Sequence, residues 1–313
     1  MDKRIFLWKT RHWGLRLKAF ARWVVLGAGI GLVIGGGVGT AFYYTLQTVT
    51  AWRQAHPWLL YLLPLGGVFI IWLYRASGIT KSRGTNLVLL AVRSPEKLPT
   101  RMAPLIFVAT AVTHLFGGSA GREGAALQIG GSLGYFCGNL FHRSEKERHV
   151  LTMCGMGSVF SALFGTPVVA TVFAMEVVSV GEMYYPALVP TALACLLASF
   201  VARSLGAAPT HFSLAEVAAP ALVPMLKVLL LAALCALVAV LFCMAMRWAG
   251  KFYGKCFPNQ YVRVLVGGAI VVGINLLLGT TDYQGAGTEV IARAIAGQAF
   301  PGAFLLKILL TAL

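Results

Sequence analysis

Charge is what this sequence has least of. Only 12% of its 313 residues are Asp, Glu, Lys or Arg, roughly half the share of a soluble domain. Acidic residues are scarcer still, 10 against 26 basic. With 58% hydrophobic residues and a mean hydropathy of +0.78, the chain belongs in a bilayer rather than in water. The six cysteines form no C-x-x-C pair, which argues against a zinc ribbon or a redox dithiol. Set mostly in apolar segments, they read as small buried hydrophobes. The six histidines show no H-E-x-x-H spacing, so neither metal nor cofactor is expected. Gly27-Ala28-Gly29-Ile30-Gly31 brushes against a dinucleotide fingerprint but lacks its preceding strand and acidic ribose ligand. Close helix–helix contact explains those glycines better.

The surplus of base, +16 at neutral pH, raises nucleic acid as a partner, but that reading needs a soluble basic fold. Much of the charge stands instead at the extreme N-terminus, as Lys3, Arg4, Lys9, Arg11, Arg16, Lys18 and Arg22, interleaved with Trp8, Trp13 and Trp23. Basic flanks stay cytoplasmic and tryptophans favour the membrane interface. The basic stretch is too long for a signal peptide and is followed by a full span without a clear cleavage site. Residues 1–22 therefore read as a cytoplasmic amphipathic helix attracted to anionic lipid.

Apolar spans follow at 23–46 and 57–75, the second ending in Arg75, Lys81 and Arg83, a basic turn that the charge rule places inside. Residues 84–92 are too short to cross as a helix, which takes about 20 residues. Further apolar runs cover 102–116, 123–141, 150–163, 168–180, 186–205, 222–247, 261–279, 286–296 and 302–313, with a break at Gly165-Thr166-Pro167 and a polar divider from Ala207 to Glu216. Short, Gly/Pro-interrupted segments indicate broken helices around a midplane site. Gly84-Thr85-Asn86-Leu87-Val88 recurs 203 residues later as Gly287-Thr288-Glu289-Val290-Ile291, and the same offset carries the spans near 23, 58 and 101 onto those near 226, 261 and 304. Such internal duplication marks a transporter scaffold. The expected fold is an all-α polytopic membrane protein, with 23–206 as a first repeat and 207–313 as a second, incomplete one. The offset puts a second central loop near residue 326, past Leu313, so the chain reads as truncated at its C-terminus.

The stretch to explain is 117–131, where a glycine-dense loop carries Arg122 and Glu123 between two apolar runs. An ionisable group inside a span is a functional candidate by default. A helix starting near Glu123 would offer free N–H groups and a favourable dipole to an anion. A glutamate at the mouth of an anion site competes for the anion's place, which is how a gate works. A partly desolvated carboxyl also titrates above its ordinary range, as proton coupling requires. The plainer alternative is an Arg122–Glu123 ion pair capping the helix, which does not call for so many glycines. Glu176 fits a structural carboxylate at a helix end. Thr85 and Asn86 suit a helix cap; were that helix aimed at the same pore, their donors would hold an anion. Both readings stand.

Gly121-Arg122-Glu123-Gly124 resembles the G-[KR]-E-G-P signature of the CLC family of chloride channels and anion/proton antiporters, and Ser161–Pro167 followed by Val172–Glu176 resembles its A-A-x-F-N-A-P…F-x-x-E stretch. The resemblance implies a CLC-type inverted-repeat bundle of broken and tilted helices, with Glu123 as the gate. It further implies anion contacts from Thr85, Asn86, Arg122, Gly124 and Ala125. The family's G-S-G-I-P serine motif is missing before the gate; Thr85, then Asn86, stands in its place. Ala125 replaces the motif proline, and Val177 takes the position of a second, proton-handling glutamate. These departures are similar to the bacterial CLC-type fluoride/proton antiporters. The implied protein is a homodimer in the bacterial inner membrane, exporting fluoride against protons; the alternative is a chloride/proton antiporter or chloride channel. Fluoride, small and strongly hydrated, would need well-aimed donors to replace its water. An embedded enzyme is the rival class, but no nucleophile–base spacing supports one.

Overall fold

The computed structural model describes the chain except for residues 1–2, 80–83, 95–96, 179–180, 209–220, 281, 301 and 313. The side chains of 3–12, 15 and Thr85 are likewise outside the described residues, as are Lys81, Arg83, Glu96 and most of the 207–216 divider. Thirteen α-helices are described: α1 (Lys3–Ile30), α2 (Thr40–Ala55), α3 (Leu63–Ala76), α4 (Thr85–Arg93), α5 (Met102–Leu115), α6 (Glu123–Leu140), α7 (Glu145–Phe164), α8 (Pro167–Glu176), α9 (Leu188–Ser204), α10 (Leu222–Cys256), α11 (Gln260–Leu278), α12 (Thr288–Ile295) and α13 (Ala303–Ala312). Among the described residues, five stretches are long and apolar enough to cross a membrane: Arg16–Ala55, Pro57–Ala76, Tyr185–Ser204, Leu222–Cys256 and Gln260–Leu278.

Contacts divide the chain into two compact units, one formed by Met1–Thr48, Ile79–Thr110 and Arg122–Thr210, the other by Val49–Gly78, Ala111–Gly121 and His211–Leu313.

In the first unit the basic lead-in and the first span are one helical rod, because Gly31–Gly39 joins α1 to α2 as a π-helix. Its glycines do what the sequence suggests. A Cβ on Gly27 would stand 2.7 Å from the Pro190 carbonyl, one on Gly31 2.5 Å from that of Ala194, and one on Gly39 2.9 Å from the Ala162 methyl. Small residues every fourth position thus let the rod lie directly on α7 and α9. Helices α6 and α7 meet even more closely: a Cβ on Gly130 would overlap the Gly155 carbonyl, and one on Gly134 that of Leu151. Around this seam Leu151, Met153, Met156 and Val159 are almost wholly buried. At the polar end of the seam Ser144 caps α7 in a box with Glu147, and Arg22 of the rod pairs with the same carboxylate at 2.6 Å.

In the second unit α3 lies along α11. Pro64 abuts Gly268, and Val264 fills the space beside Gly67. Val271, Tyr283, Val290, Ala303 and Leu310 form the core, with Leu63, Ile274, Leu278 and Leu306 against it. The duplication has a local counterpart: α4 and α12 each begin right after a glycine with positive φ, Gly84 (57°) and Gly287 (75°). One expectation fails. Cys154 and Cys195 are buried, but Cys235, Cys243 and Cys256 on α10 are exposed. Residues 228–246 of α10 are apolar without interruption, so the sequence there could not show that the described protein leaves most of that helix uncovered.

Candidate functional site

Helix α6 begins where the glycine-dense loop ends. Arg122 takes the N-cap position and Glu123 is the first helical residue, with no side-chain cap. The first intrahelical bond of this turn is from the Ala126 N–H to the Arg122 carbonyl, at 3.0 Å. By helix geometry the amides of Glu123, Gly124 and Ala125 therefore point out of the helix end, where the positive end of its dipole lies. Ala125 is buried, Gly124 is half-buried, and the side chain of Glu123 is exposed. The described residues alone do not enclose that carboxylate.

Arg122 turns back over the Phe164 ring, 5.2 Å from guanidinium carbon to ring centroid, and interacts electrostatically with Glu123 and Tyr43. Phe164 is the last residue of α7, and Gly165 (φ 69°) closes that helix in the left-handed conformation that only glycine adopts cheaply. Pro167 opens α8 one residue after Thr166, in the first turn where a missing N–H costs nothing. Arg203 of α9 donates to the Gly165 carbonyl at 3.1 Å, satisfying backbone left open by the break. The expected interruption at Gly165-Thr166-Pro167 is therefore real. It places the α7–α8 break, through Phe164, beside the start of α6.

Helix α4 packs on α6 and α7 through Val88, which is fully buried and occupies the space beside Gly131. Its capping position falls on Gly84, so Thr85 and Asn86 are the first two helical residues and not the cap. Asn86 is exposed. Glu123, Arg122, Gly124 and Ala125 thus share one helical turn, while Thr85 and Asn86 start a separate helix that flanks α6. Glu176 ends α8 with an exposed side chain, and Val177 follows as that helix's C-cap.

Two cations in the second unit, Arg53 and Lys307, are not among the site residues expected from the sequence. Arg53 is 8% exposed and donates to the His114 carbonyl at 3.0 Å. Lys307, on α13, donates to the carbonyls of Tyr283 and Gly285 at 2.8 and 2.5 Å. The signal was available: Lys307 interrupts the apolar run 302–313, and a cation there is as costly as an acid. Backbone carbonyls offset that cost here.

Residues 66–313 match the protein family described as voltage gated chloride channel. A "Chloride/fluoride channel protein" from Pseudomonas syringae pv. tomato is 32% identical over 268 residues, covering 85% of this chain and 59% of that protein. An "H(+)/Cl(-) exchange transporter ClcA" from Cronobacter sakazakii is 31% identical over 173 residues, 49% of this chain and 36% of that protein. The chain therefore spans about three-fifths or less of the length of these curated relatives. Among solved structures, a CLC-type fluoride/proton antiporter superposes with a TM-score of 0.88 at 33% identity, covering 94% of this chain and 74% of that one. A slow cyanobacterial Cl−/H+ antiporter matches at a TM-score of 0.79 and 20% identity, covering 93% and 72%, which speaks to the fold alone.

Proposed function

This multi-pass membrane chain belongs to the CLC family of ion-transport proteins, and from that premise we propose that it exports fluoride in exchange for protons, with Glu123 as the group that alternates between the anion's position and a protonated state. The observation that carries this reading is the start of α6. A carboxylate sits as the first helical residue, among outward-pointing amides and beside the α7–α8 break. An anion and a charged Glu123 would compete for those donors, so each arrival of one favours neutralisation or departure of the other. Thr85 and Asn86, which stand where the family's serine motif is missing, would supply further donors suited to a strongly hydrated ion. The likeness to a fluoride/proton antiporter favours fluoride over chloride.

In this reading the basic N-terminal helix faces the cytoplasm of a bacterium and the protein lies in the inner membrane. Exposed apolar side chains on α8 and α9, among them Val168, Val169, Leu196 and Phe200, give a homodimer a face to bury. The selectivity test is efflux from proteoliposomes loaded with fluoride or with chloride at equal concentration. Fluoride should leave faster, in step with proton uptake. Chloride efflux that equals or exceeds that of fluoride would assign the chain to the chloride-handling members instead.

A further inference from the structure

The first unit contains a small pocket at the start of α7 that the proposed transport cycle does not use. Its floor includes Met153 and Met175, both almost wholly buried. Arg93, His149, Glu182 and Tyr184 bring polar groups to its lining. At about 150 Å³ it has room for a few waters and falls short of the roughly 300 Å³ at which small-molecule pockets begin. Two short helices end here, α4 at Arg93 and α8 at Glu176, two residues before Val178. Helix α8 has no basic residue in its own last turn, where the negative end of a helix dipole favours a cation. Arg93 supplies one from α4. Its Nε donates to the Val178 carbonyl, which clamps the ends of the two helices together.

His149 is 20% exposed on its side chain and has Glu145 at 4.0 Å. Among the described residues, the charged and titratable groups around it are Glu145 and Arg148 of α7, Arg93 of α4, and Glu182 and Tyr184 of the connection after α8. Arg22 of α1, which also reaches this end of α7, is engaged by Glu147. Burial disfavours a charged imidazole, Glu145 favours it and Arg148 opposes it; the balance holds His149 below its ordinary value. An arrangement that depresses a base is itself disfavoured once that base is protonated. As pH falls through the ordinary histidine value, about 6.5, the proton therefore favours an arrangement with fewer cations beside the ring. Arg148 is packed against Gly138 and the Tyr135 ring. Arg93, long and exposed, is the cation that can leave.

We propose that this pocket is a proton-operated brake: His149, on taking a proton from the cytoplasm, drives Arg93 off the Val178 carbonyl and releases the ends of α4 and α8 from each other. The cytoplasmic side follows from reading the basic helix α1 as cytoplasmic, since its Arg22 pairs with Glu147, two residues from His149. The effect on transport rests on the function proposed above. There α4 begins with Thr85 and Asn86, and α8 begins at the break beside the start of α6. Loosening the far ends of these two helices loosens the proposed donors. Protons entering in exchange for fluoride thus slow the exchange that admits them.

Hydrogen–deuterium exchange of the purified protein tests this without any transport measurement. Wild type and His149→Gln are compared at the same pH, so that the chemistry of exchange cancels. About one unit below 6.5, the wild-type amides in the last turn of α4 should lose protection relative to the variant. About one unit above it, the two should match. Glu145→Gln, at an exposed position, removes the charge that favours the imidazolium, so the pH at which protection is lost should move down. Arg93→Gln deletes the clamp and should show the lost protection at both pH values. Identical exchange in wild type and His149→Gln at the lower pH overturns the inference. So does a loss of protection whose midpoint stays put or rises in Glu145→Gln. A chain that passes no fluoride in proteoliposomes would overturn the function proposed for Glu123 and leave the exchange result standing.

Discussion

Glu123 and Lys307 show two ways of keeping charge in an apolar chain. Lys307 is fixed, because two backbone carbonyls accept from its ammonium. Glu123 begins a helix whose first amides face outward and has Arg122 as its charged neighbour, an exposed setting that suits a group that must leave and return. A third charged residue, Glu147, sits in the polar connection at the start of α7. Partial burial pushes its carboxyl up, but the Ser144 N–H and hydroxyl that donate to it, with Arg22 and Arg143 close by, hold it below the usual carboxylate range. A carboxyl whose folded value is depressed contributes stability above its unfolded value, near 4.3, and loses that contribution as pH falls through the folded one. Arg22 is 47% exposed on its side chain, so solvent screens the pair and its coupling should be about 0.2–1 kcal/mol. A double-mutant cycle with Arg22→Gln and Glu147→Gln, read from thermal unfolding in detergent, should show that coupling at pH 7 and progressively less of it as pH falls below the ordinary carboxylate range. Coupling that does not weaken at all with falling pH would mean that the two residues interact through packing and not through charge.

The element that most constrains the rest is the α6–α7 pair. Its glycines bring two backbones into contact, and the helix that starts at Glu123 is held along that seam. Gly130→Ala places a methyl into the Gly155 carbonyl, so the backbones must separate at a cost of about 1–3 kcal/mol or more. Gly273, in the middle of α11, has nothing within 4 Å of an added Cβ. Gly273→Ala should therefore be neutral or stabilise by about 0.4–1 kcal/mol, through the lower entropy of the unfolded chain. Thermal inactivation of the two variants side by side checks the contrast. If both behave alike, the seam is looser than described.

For the whole molecule, hydropathy and punctuation located most elements. The apolar runs, the short helix after Gly84 and the break at Gly165-Thr166-Pro167 were legible because glycine, proline and span length act locally. The single span through 23–46 was legible too, but the π-helical winding of Gly31–Gly39 within it was not, since a run of glycines does not reveal how the helix is wound. Nor could the exposure of α10 be read: its uninterrupted apolar stretch, 228–246, has no polar face to say which side meets lipid. The candidate site was legible as a position, Glu123 at a helix start, but not as a setting. Its closeness to Phe164 and the α7–α8 break comes from long-range contacts that no local pattern encodes.

The central claim is that Glu123 couples the anion to the proton, and simultaneous recording of fluoride efflux and internal pH in proteoliposomes tests it most directly. Wild-type protein should take up protons as fluoride leaves, while Glu123→Gln should pass fluoride with no matching proton movement. Proton-coupled exchange at an unchanged ratio in that variant would contradict the account.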